Sequence, residues 1–133
     1  MTLPSHPRDT EESAFTAILR EAASSVSGFK AAIFFDHEGE TIDYYSCLDP
    51  FETRLCAAHM GIIVMRAVTR FHDFSLGEVR CVEMQTDRYE YIVSALGENL
   101  FLLLMLDAGH SSPKIWGQLF DTAQRLRSEA GLS

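Results

Sequence analysis

Seven consecutive apolar side chains, Leu100 to Leu106, stand between Asn99 and Asp107. The run is much shorter than the ~18 apolar residues of a membrane-spanning helix. Turn-forming residues on both sides limit it to the length of a strand. A strand without alternating polar residues is typical of a sheet that is covered by helices on both faces. The run therefore predicts a central, buried strand.

Four further segments have the length and composition of strands. FKAAIFFD and TIDYYSC flank a turn at Gly39 and predict a hairpin, and EVRCVEMQ and RYEYIVSAL lead into the buried run through tight turns. Helical patterns lie before, between and after these strands. The predicted order is α-β-β-α-β-β-β-α, an α/β (α+β) domain whose five-stranded, mainly antiparallel sheet has helices on both faces.

Residues 1–9 contain two prolines and predict a flexible tail, and residues 10–130 predict a single domain. Asp9 or Thr10 is the predicted N-terminal cap of the first helix, because both residue types accept hydrogen bonds from free backbone N–H groups. Asp49, which precedes a proline, is the predicted cap of the second helix.

The composition argues against several kinds of partner. The net charge of −8 disfavours binding to the phosphate backbones of nucleic acids and to anionic membrane surfaces. Three cysteines without CxxC spacing argue against a disulfide framework, and the start of the chain has no apolar signal-peptide region. We therefore expect a cytoplasmic protein with no nucleic-acid partner and no direct membrane insertion.

The sequence contains none of the GxSxG, GxxxxGK[ST], GxGxxG or HExxH motifs. Four carboxylates between Asp36 and Asp43 lack the spacing of a calcium loop and predict a solvated hairpin tip. Cys56 is predicted to be a packed thiol and not a reactive one. We therefore expect no enzyme activity, no cofactor and no metal.

The predicted second helix, residues 50–74, is apolar over most of its circumference. A surface helix needs one apolar stripe, so the additional apolar side predicts a homodimer; cover by a terminal helix or loop is the alternative. The predicted interface on this helix consists of Met60, Ile63, Val64, Ala67, Phe71 and Phe74. A polar side about 60° wide remains, formed by Glu52, His59, Arg66, Arg70 and Asp73.

Several segments together resemble the roadblock family, which is named after a dynein light chain. They are GFKAAIFFD with its turn at Gly39, the long apolar helix 50–74, and the three-strand meander that ends in NLFLLLMLD. The resemblance spans residues 10–130 and departs from the family at residues 109–114, GHSSPK, where members often have an Asn-Leu-Gly type turn. It implies a homodimer built from paired middle helices and an edge strand of each subunit, with Val79 and Cys81 in the interface.

Members of this family commonly bind Ras-like small GTPases, and some bacterial members stimulate GTP hydrolysis in gliding polarity. The resemblance therefore implies a regulatory dimer that docks on a GTPase. Arg66 and Arg70 stand one turn apart on the polar side of the second helix, next to His59 and Glu52, and these four residues are the predicted docking surface. Simple solvation of the arginines beside Glu52 and Asp73 is the alternative. For the whole protein, the alternatives are a non-catalytic scaffold dimer in a motility, motor or signalling complex, and a ligand-sensing domain of the PAS or GAF kind.

Overall fold

The computed structural model describes residues 4–132. This part of the chain forms three helices and five strands in the predicted order, and none of these helices has the length and apolar character needed to cross a membrane. Neighbouring strands pair antiparallel in the order β2-β1-β5-β4-β3, so the predicted fold class is confirmed. The elements are α1 (Ala14–Ser24), β1 (Phe29–Asp36), β2 (Thr41–Ser46), α2 (Pro50–Asp73), β3 (Cys81–Gln85), β4 (Tyr89–Gly97), β5 (Leu100–Asp107) and α3 (Pro113–Glu129).

The apolar run forms β5, the middle strand of the sheet, as predicted. Its residues from Phe101 to Leu106 are all buried. Because successive side chains of a strand point to opposite faces, Leu102 and Leu104 pack with α1 and α3 on one face. Leu103 packs with α2 on the other. The run is apolar throughout because both faces are covered.

A close contact between two glycines positions α2. Gly39 lies in the β1–β2 turn with φ +77, and Gly61 lies on the side of α2 that faces this turn. A Cβ atom added to Gly61 would lie 2.7 Å from the Cα atom of Gly39, and one added to Gly39 would lie 2.8 Å from the Cα atom of Ala58. The missing side chains therefore let the turn and the helix touch backbone to backbone.

The segment before α1 lies along β2, at one end of the sheet. Arg8 donates to the Asp43 carboxylate at 2.6 Å and to the backbone carbonyl of Tyr44. Asp43 is only 4% exposed and also accepts hydrogen bonds from the hydroxyls of Ser13 and Thr16. The prediction of a solvated tip is wrong for Asp43, because its partners lie far away in the sequence.

Asp9 connects the same segment to α2. Its carboxylate accepts hydrogen bonds from the Arg54 guanidinium at 2.8 and 3.0 Å and from the Tyr44 hydroxyl at 3.0 Å. The hydrogen bond from Arg54 is the main cause that lowers the pKa of Asp9 to about 2. The predicted flexible tail, residues 1–9, is thus attached to the domain at Arg8 and Asp9, and its residues 1–3 lie outside the described residues.

The predicted cap of α1 is wrong, and that of α2 is confirmed. α1 begins at Ala14 and is capped by Ser13, because Asp9 is engaged by Arg54 and Thr10 lies too far before the first helical residue. α2 begins at Pro50, and the carboxylate of Asp49 accepts a hydrogen bond from the first turn of the helix at 2.7 Å.

The two edge strands of the sheet, β2 and β3, differ in whether their outward N–H and C=O groups have hydrogen-bond partners. At β2, Arg8 binds the carbonyl of Tyr44, and the Asp43 carboxylate accepts from the N–H of Tyr44 at 2.7 Å. These side chains occupy backbone groups that another strand would need. Arg8 and Asp43 therefore occupy the outward backbone groups of Tyr44, within the β2 edge.

The β3 edge is open: within residues 4–132, no strand pairs with its outer side. The carbonyl of Arg80 and the N–H of Thr86 are bonded to β4 and its turn. Because the direction of the backbone groups alternates along an antiparallel strand, the outward N–H and C=O groups are those of Cys81, Glu83 and Gln85.

Gly61→Ala is expected to lower the melting temperature, although alanine is the better helix former by about 1 kcal/mol, since the new Cβ would displace the β1–β2 turn. Gly117→Ala in α3, where a Cβ meets nothing within 4 Å, is the matched control. It is expected to stabilise the protein by about 0.5–1 kcal/mol. Thermal unfolding followed by circular dichroism measures both, and stabilisation by both substitutions would contradict the glycine contact.

Asp43→Asn is expected to lower the free energy of unfolding at pH 7 by about 3 kcal/mol, because Arg8 loses a buried partner. Burial alone would raise the pKa of Asp43, but hydrogen bonds from Ser13, Thr16 and Arg8 outweigh it and hold the pKa below its usual value. The stabilisation is therefore complete above the unfolded pKa of about 3.9 and is lost as the pH falls through the lower, folded pKa.

Urea unfolding of the wild type and of Asp43→Asn at pH 7 and at pH 3 measures this difference. The gap between the two proteins is expected to shrink in acid. Asp121→Asn, at an exposed position of α3, is the control and is expected to stay within about 0.5 kcal/mol of the wild type. A gap that grows in acid would contradict the expected ionisation of Asp43.

Candidate functional site

The orientation of α2 is fixed by the residues that it buries. Its buried side faces the sheet and packs with residues such as Phe35, Val93 and Leu103. The rest of its circumference faces the β1–β2 turn, the β3 edge or solvent. The buried side consists of Thr53, Ala57, Met60, Gly61 and Val64.

Two of the residues predicted for a dimer interface lie on this buried side. Met60 and Val64 pack against the sheet of their own chain, so the prediction for these two positions is revised. The spacing of residues along the helix indicates which of them share a side, but it does not indicate which side the sheet covers. Of the other predicted interface residues, Ala67 and Val79 are half-buried, and the exposed ones are Ile63, Phe71, Phe74 and Cys81.

The structure brings the four predicted docking residues together on the outward side of α2. Glu52, His59, Arg66 and Arg70 are all exposed. Within residues 4–132, none of their side chains makes an ion pair or a side-chain hydrogen bond. Pairing of the arginines with an acidic neighbour on the same helix is therefore not seen, and we call these four residues the polar band.

An apolar strip borders the polar band on the side of the β1–β2 turn. It consists of Phe51, Leu55 and Ile62, which are exposed although their side chains are large. They share one side of the helix. The structure buries a different side of α2 against the sheet and leaves this one exposed. We call these three residues the outer strip.

A groove of about 410 Å³ lies on the other flank of α2, next to the open β3 edge. Phe74 and Leu76, which stand at the end of the helix and in the loop to β3, are 66% and 67% exposed. We call this feature the edge groove. The apolar residues that line it are Ala67, Phe71, Leu76, Val79, Cys81 and Val82.

These surfaces combine exposed apolar side chains with charges that make no ion pair within residues 4–132. Within residues 4–132, no three His, Cys, Asp or Glu side chains stand together as metal ligands would. Burial raises the pKa of the Cys56 thiol to about 11. This thiol is therefore protonated at neutral pH and is not a nucleophile. Exposed apolar side chains beside charges without intramolecular partners are typical of an interface.

The fold matches that of solved roadblock/LC7 structures. A roadblock/LC7 domain from Streptomyces avermitilis superposes with a TM-score of 0.79 at 16% sequence identity, over 86% of this chain and 96% of that chain. This protein therefore has the roadblock fold, and the resemblance found in its strands and turns is confirmed at the level of the fold.

Two further similar structures are bacterial MglB proteins. MglB from Myxococcus xanthus superposes with a TM-score of 0.80 at 12% identity, over 92% of this chain and 98% of that chain. The gliding protein MglB from Thermus thermophilus superposes with a TM-score of 0.75 at 16% identity, over 96% of each chain. No protein-family model matches the sequence, and no curated protein matches it.

Proposed function

We propose that this protein is a homodimer that binds a Ras-like small GTPase on the outward side of α2 and favours GTP hydrolysis by that partner. One observation carries the proposal: the polar band has no intramolecular ion pairs in residues 4–132 and stands beside the exposed outer strip. Charges that lack partners next to large exposed apolar side chains favour a surface that another protein covers. The roadblock fold supports a GTPase as that protein, because the resemblance implies it.

The second flank of α2 supports the homodimer. The edge groove adjoins the open β3 edge, so a second copy could add its own β3 strand and place its α2 helix over the groove. An isologous arrangement of this kind uses the same surface of both copies. The proposed interface contains Ile63, Ala67, Phe71, Phe74, Val79 and Cys81.

The two flanks of α2 therefore have separate roles in this proposal. The edge groove receives the second copy, whereas the outer strip and the part of the polar band next to it, His59 and Arg66, remain available to the GTPase. The two binding events do not compete, because His59 and Arg66 lie between the two apolar flanks. One helix thus serves two different partners.

GTPase regulation requires a surface that distinguishes the switch loops of the GTP form from those of the GDP form. α2 is a rigid helix of 24 residues held against a sheet. A rigid surface that binds one switch conformation better shifts the GTPase toward it. Arg66 stands in the middle of the band, where it can contact such a loop or compensate negative charge near the γ-phosphate.

A scaffold function is the second candidate, and the same arginines favour it. Within residues 4–132, no hydrogen bond or ion pair holds the guanidinium of Arg66 or Arg70 in a fixed position. An arginine that acts on the transferred phosphoryl group works best when it is already positioned. In this alternative, the dimer binds its partner without changing the rate of hydrolysis.

Ile63→Glu is expected to convert the dimer into a monomer, because it places a charge in the proposed interface of each copy. Leu55→Glu in the outer strip is the matched control, since Leu55 and Ile63 are 45% and 42% exposed. It is expected to remain dimeric. Sedimentation velocity measures both variants, and a dimeric Ile63→Glu protein would place the interface elsewhere.

Arg66→Ala is expected to remain dimeric and to bind the GTPase at least about tenfold more weakly, as loss of a central interface arginine commonly costs about 2 kcal/mol or more. Immobilised wild type and variant are incubated with source-cell lysate that contains either GDP or a non-hydrolysable GTP analogue. Lys114→Ala, on α3, is the control.

A Ras-like GTPase that the wild type and the control retain mainly with the analogue, and that Arg66→Ala loses, would support the proposal. Hydrolysis by the purified GTPase, with and without the dimer, would then separate the two candidates. An unchanged rate with intact binding would favour the scaffold. Retention of no GTPase under either condition would overturn the GTPase proposal.

A further inference from the structure

Residues on the β3 side of α2 follow the spacing of a helix-pairing seam. They recur at intervals of 4-3-4-3-4, the repeat with which two helices pack side by side. Met60 forms the inner border of this seam against the sheet, Ile63 and Phe74 are exposed, and Cys56 and Ala67 are half-buried. The seam, Cys56, Met60, Ile63, Ala67, Arg70 and Phe74, is apolar except for Arg70.

The charge of Arg70 has a counterpart at the other end of the helix. Glu52 stands in the first turn of α2 and Arg70 in the last turn. They are 18 residues apart, which is five turns at 3.6 residues per turn, so they lie on the same side of the helix about 27 Å apart. Both are exposed, and within residues 4–132 neither side chain has an ion-pair partner.

The two charges are placed symmetrically. The position halfway between them in the sequence is Gly61, at the middle of α2 (Pro50–Asp73). When two copies of such a helix lie antiparallel about a two-fold axis near this midpoint, each end of one helix meets the opposite end of the other. Glu52 of each copy then lies beside Arg70 of the second copy.

We propose that Glu52 and Arg70 form two symmetry-related ion pairs between the α2 helices of two copies of this chain, and that these pairs set the antiparallel register of the dimer. The inference rests on the proposed homodimer and assigns two residues of the polar band to self-recognition. His59 and Arg66 then remain as the charged or titratable part of the GTPase surface. The binding partner at this seam is a second copy of the same chain.

The apolar residues of the seam agree with this register. It places Cys56 near Ala67 of the second copy, so that apolar side chains meet apolar side chains. If the two helices were shifted by one turn so that their C-terminal halves overlapped more, Arg70 would lie against Cys56 and Glu52 against Phe74. Both charges would then have no partner. A slip the other way would bring Arg70 to Asp49, whose carboxylate already caps its own helix.

Reversal of each charge alone tests the proposal. Glu52→Arg places two arginine pairs in its own homodimer, and Arg70→Glu places two glutamate pairs in its own. Each variant is expected to dimerise at least about tenfold more weakly than the wild type, because like charges in contact at an interface are costly. Lys114→Glu on α3 changes the net charge as much as Arg70→Glu does, and it is expected to dimerise like the wild type.

A mixture of the two variants gives the sharper result. A Glu52→Arg chain has arginine at both positions, and an Arg70→Glu chain has glutamate at both, so their heterodimer contains two attractive pairs. Native mass spectrometry of an equal mixture is expected to find about 90% of the dimers as heterodimers, as expected when homodimers are selected against. The double variant Glu52→Arg/Arg70→Glu is expected to recover the homodimer.

The outcomes separate this inference from the proposed function. A wild type that sediments as a monomer at all accessible concentrations would overturn the homodimer and the ion pairs together. A dimeric wild type whose two variants mix at random, with about half of the dimers mixed, would overturn only the ion pairs. Circular dichroism of each variant confirms that the fold is retained, and a folded double variant that stays monomeric would also overturn the pairs.

Discussion

The rest of the structure depends on the burial of β5 on both of its faces. A strand with no polar side chain between Leu100 and Leu106 is stable in water only inside a sheet and between two layers of helix. α1 and α3 supply one layer, and α2 alone supplies the other. α2 is 24 residues long and apolar on several sides, so one side packs on the sheet and other apolar side chains, such as Ile62 and Ile63, remain exposed.

Because of the apolar surface that the sheet does not cover, α2 has three different surfaces. The side toward the sheet closes the core, the close contact of Gly39 and Gly61 sets the distance to the β1–β2 turn, and the remaining half faces outward. The outward half alternates between apolar strips and charges, in contrast to the uniform polarity of an ordinary surface helix. The proposed GTPase contact and the proposed self-recognition both use this half. The stability of the core and the proposed recognition of partners therefore depend on the same element.

Much of this fold could be predicted from the sequence, because local patterns determine it. The strand segments, the Asp49 cap and the central position of β5 follow from apolar periodicity and turn residues, and the structure confirms them. The attachment of Arg8 to Asp43 could not be predicted, since it joins residues 35 positions apart and no periodic pattern reveals such a pair. The cap of α1 was misplaced for the same reason.

The sequence indicates which residues of α2 share a side, and the role of these residues stays a prediction. The polar band was visible because its members share one narrow side of the helix, and the structure exposes all four of them. The side that faces the sheet cannot be predicted from the sequence, because α2 is apolar over most of its circumference. The spacing of residues along a helix shows which of them share a side, but not which side another element covers. Met60 and Val64 were therefore placed with exposed neighbours, although they are buried. The contact between Gly39 and Gly61 determines which side of α2 faces the β1–β2 turn, and this contact cannot be predicted from the periodicity of the helix.

The difference between the β2 and β3 edges also bears on how many copies the proposed assembly can contain. With two open edges, each added copy would expose a fresh one, and strand addition would continue into a filament. In the proposed dimer both copies use β3, and Arg8 and Asp43 occupy the outward backbone groups of Tyr44 on the β2 edge that each copy still presents. Strand addition would then stop at two copies. The hydrogen bonds of Arg8 and Asp43 would thus limit the size of the proposed assembly.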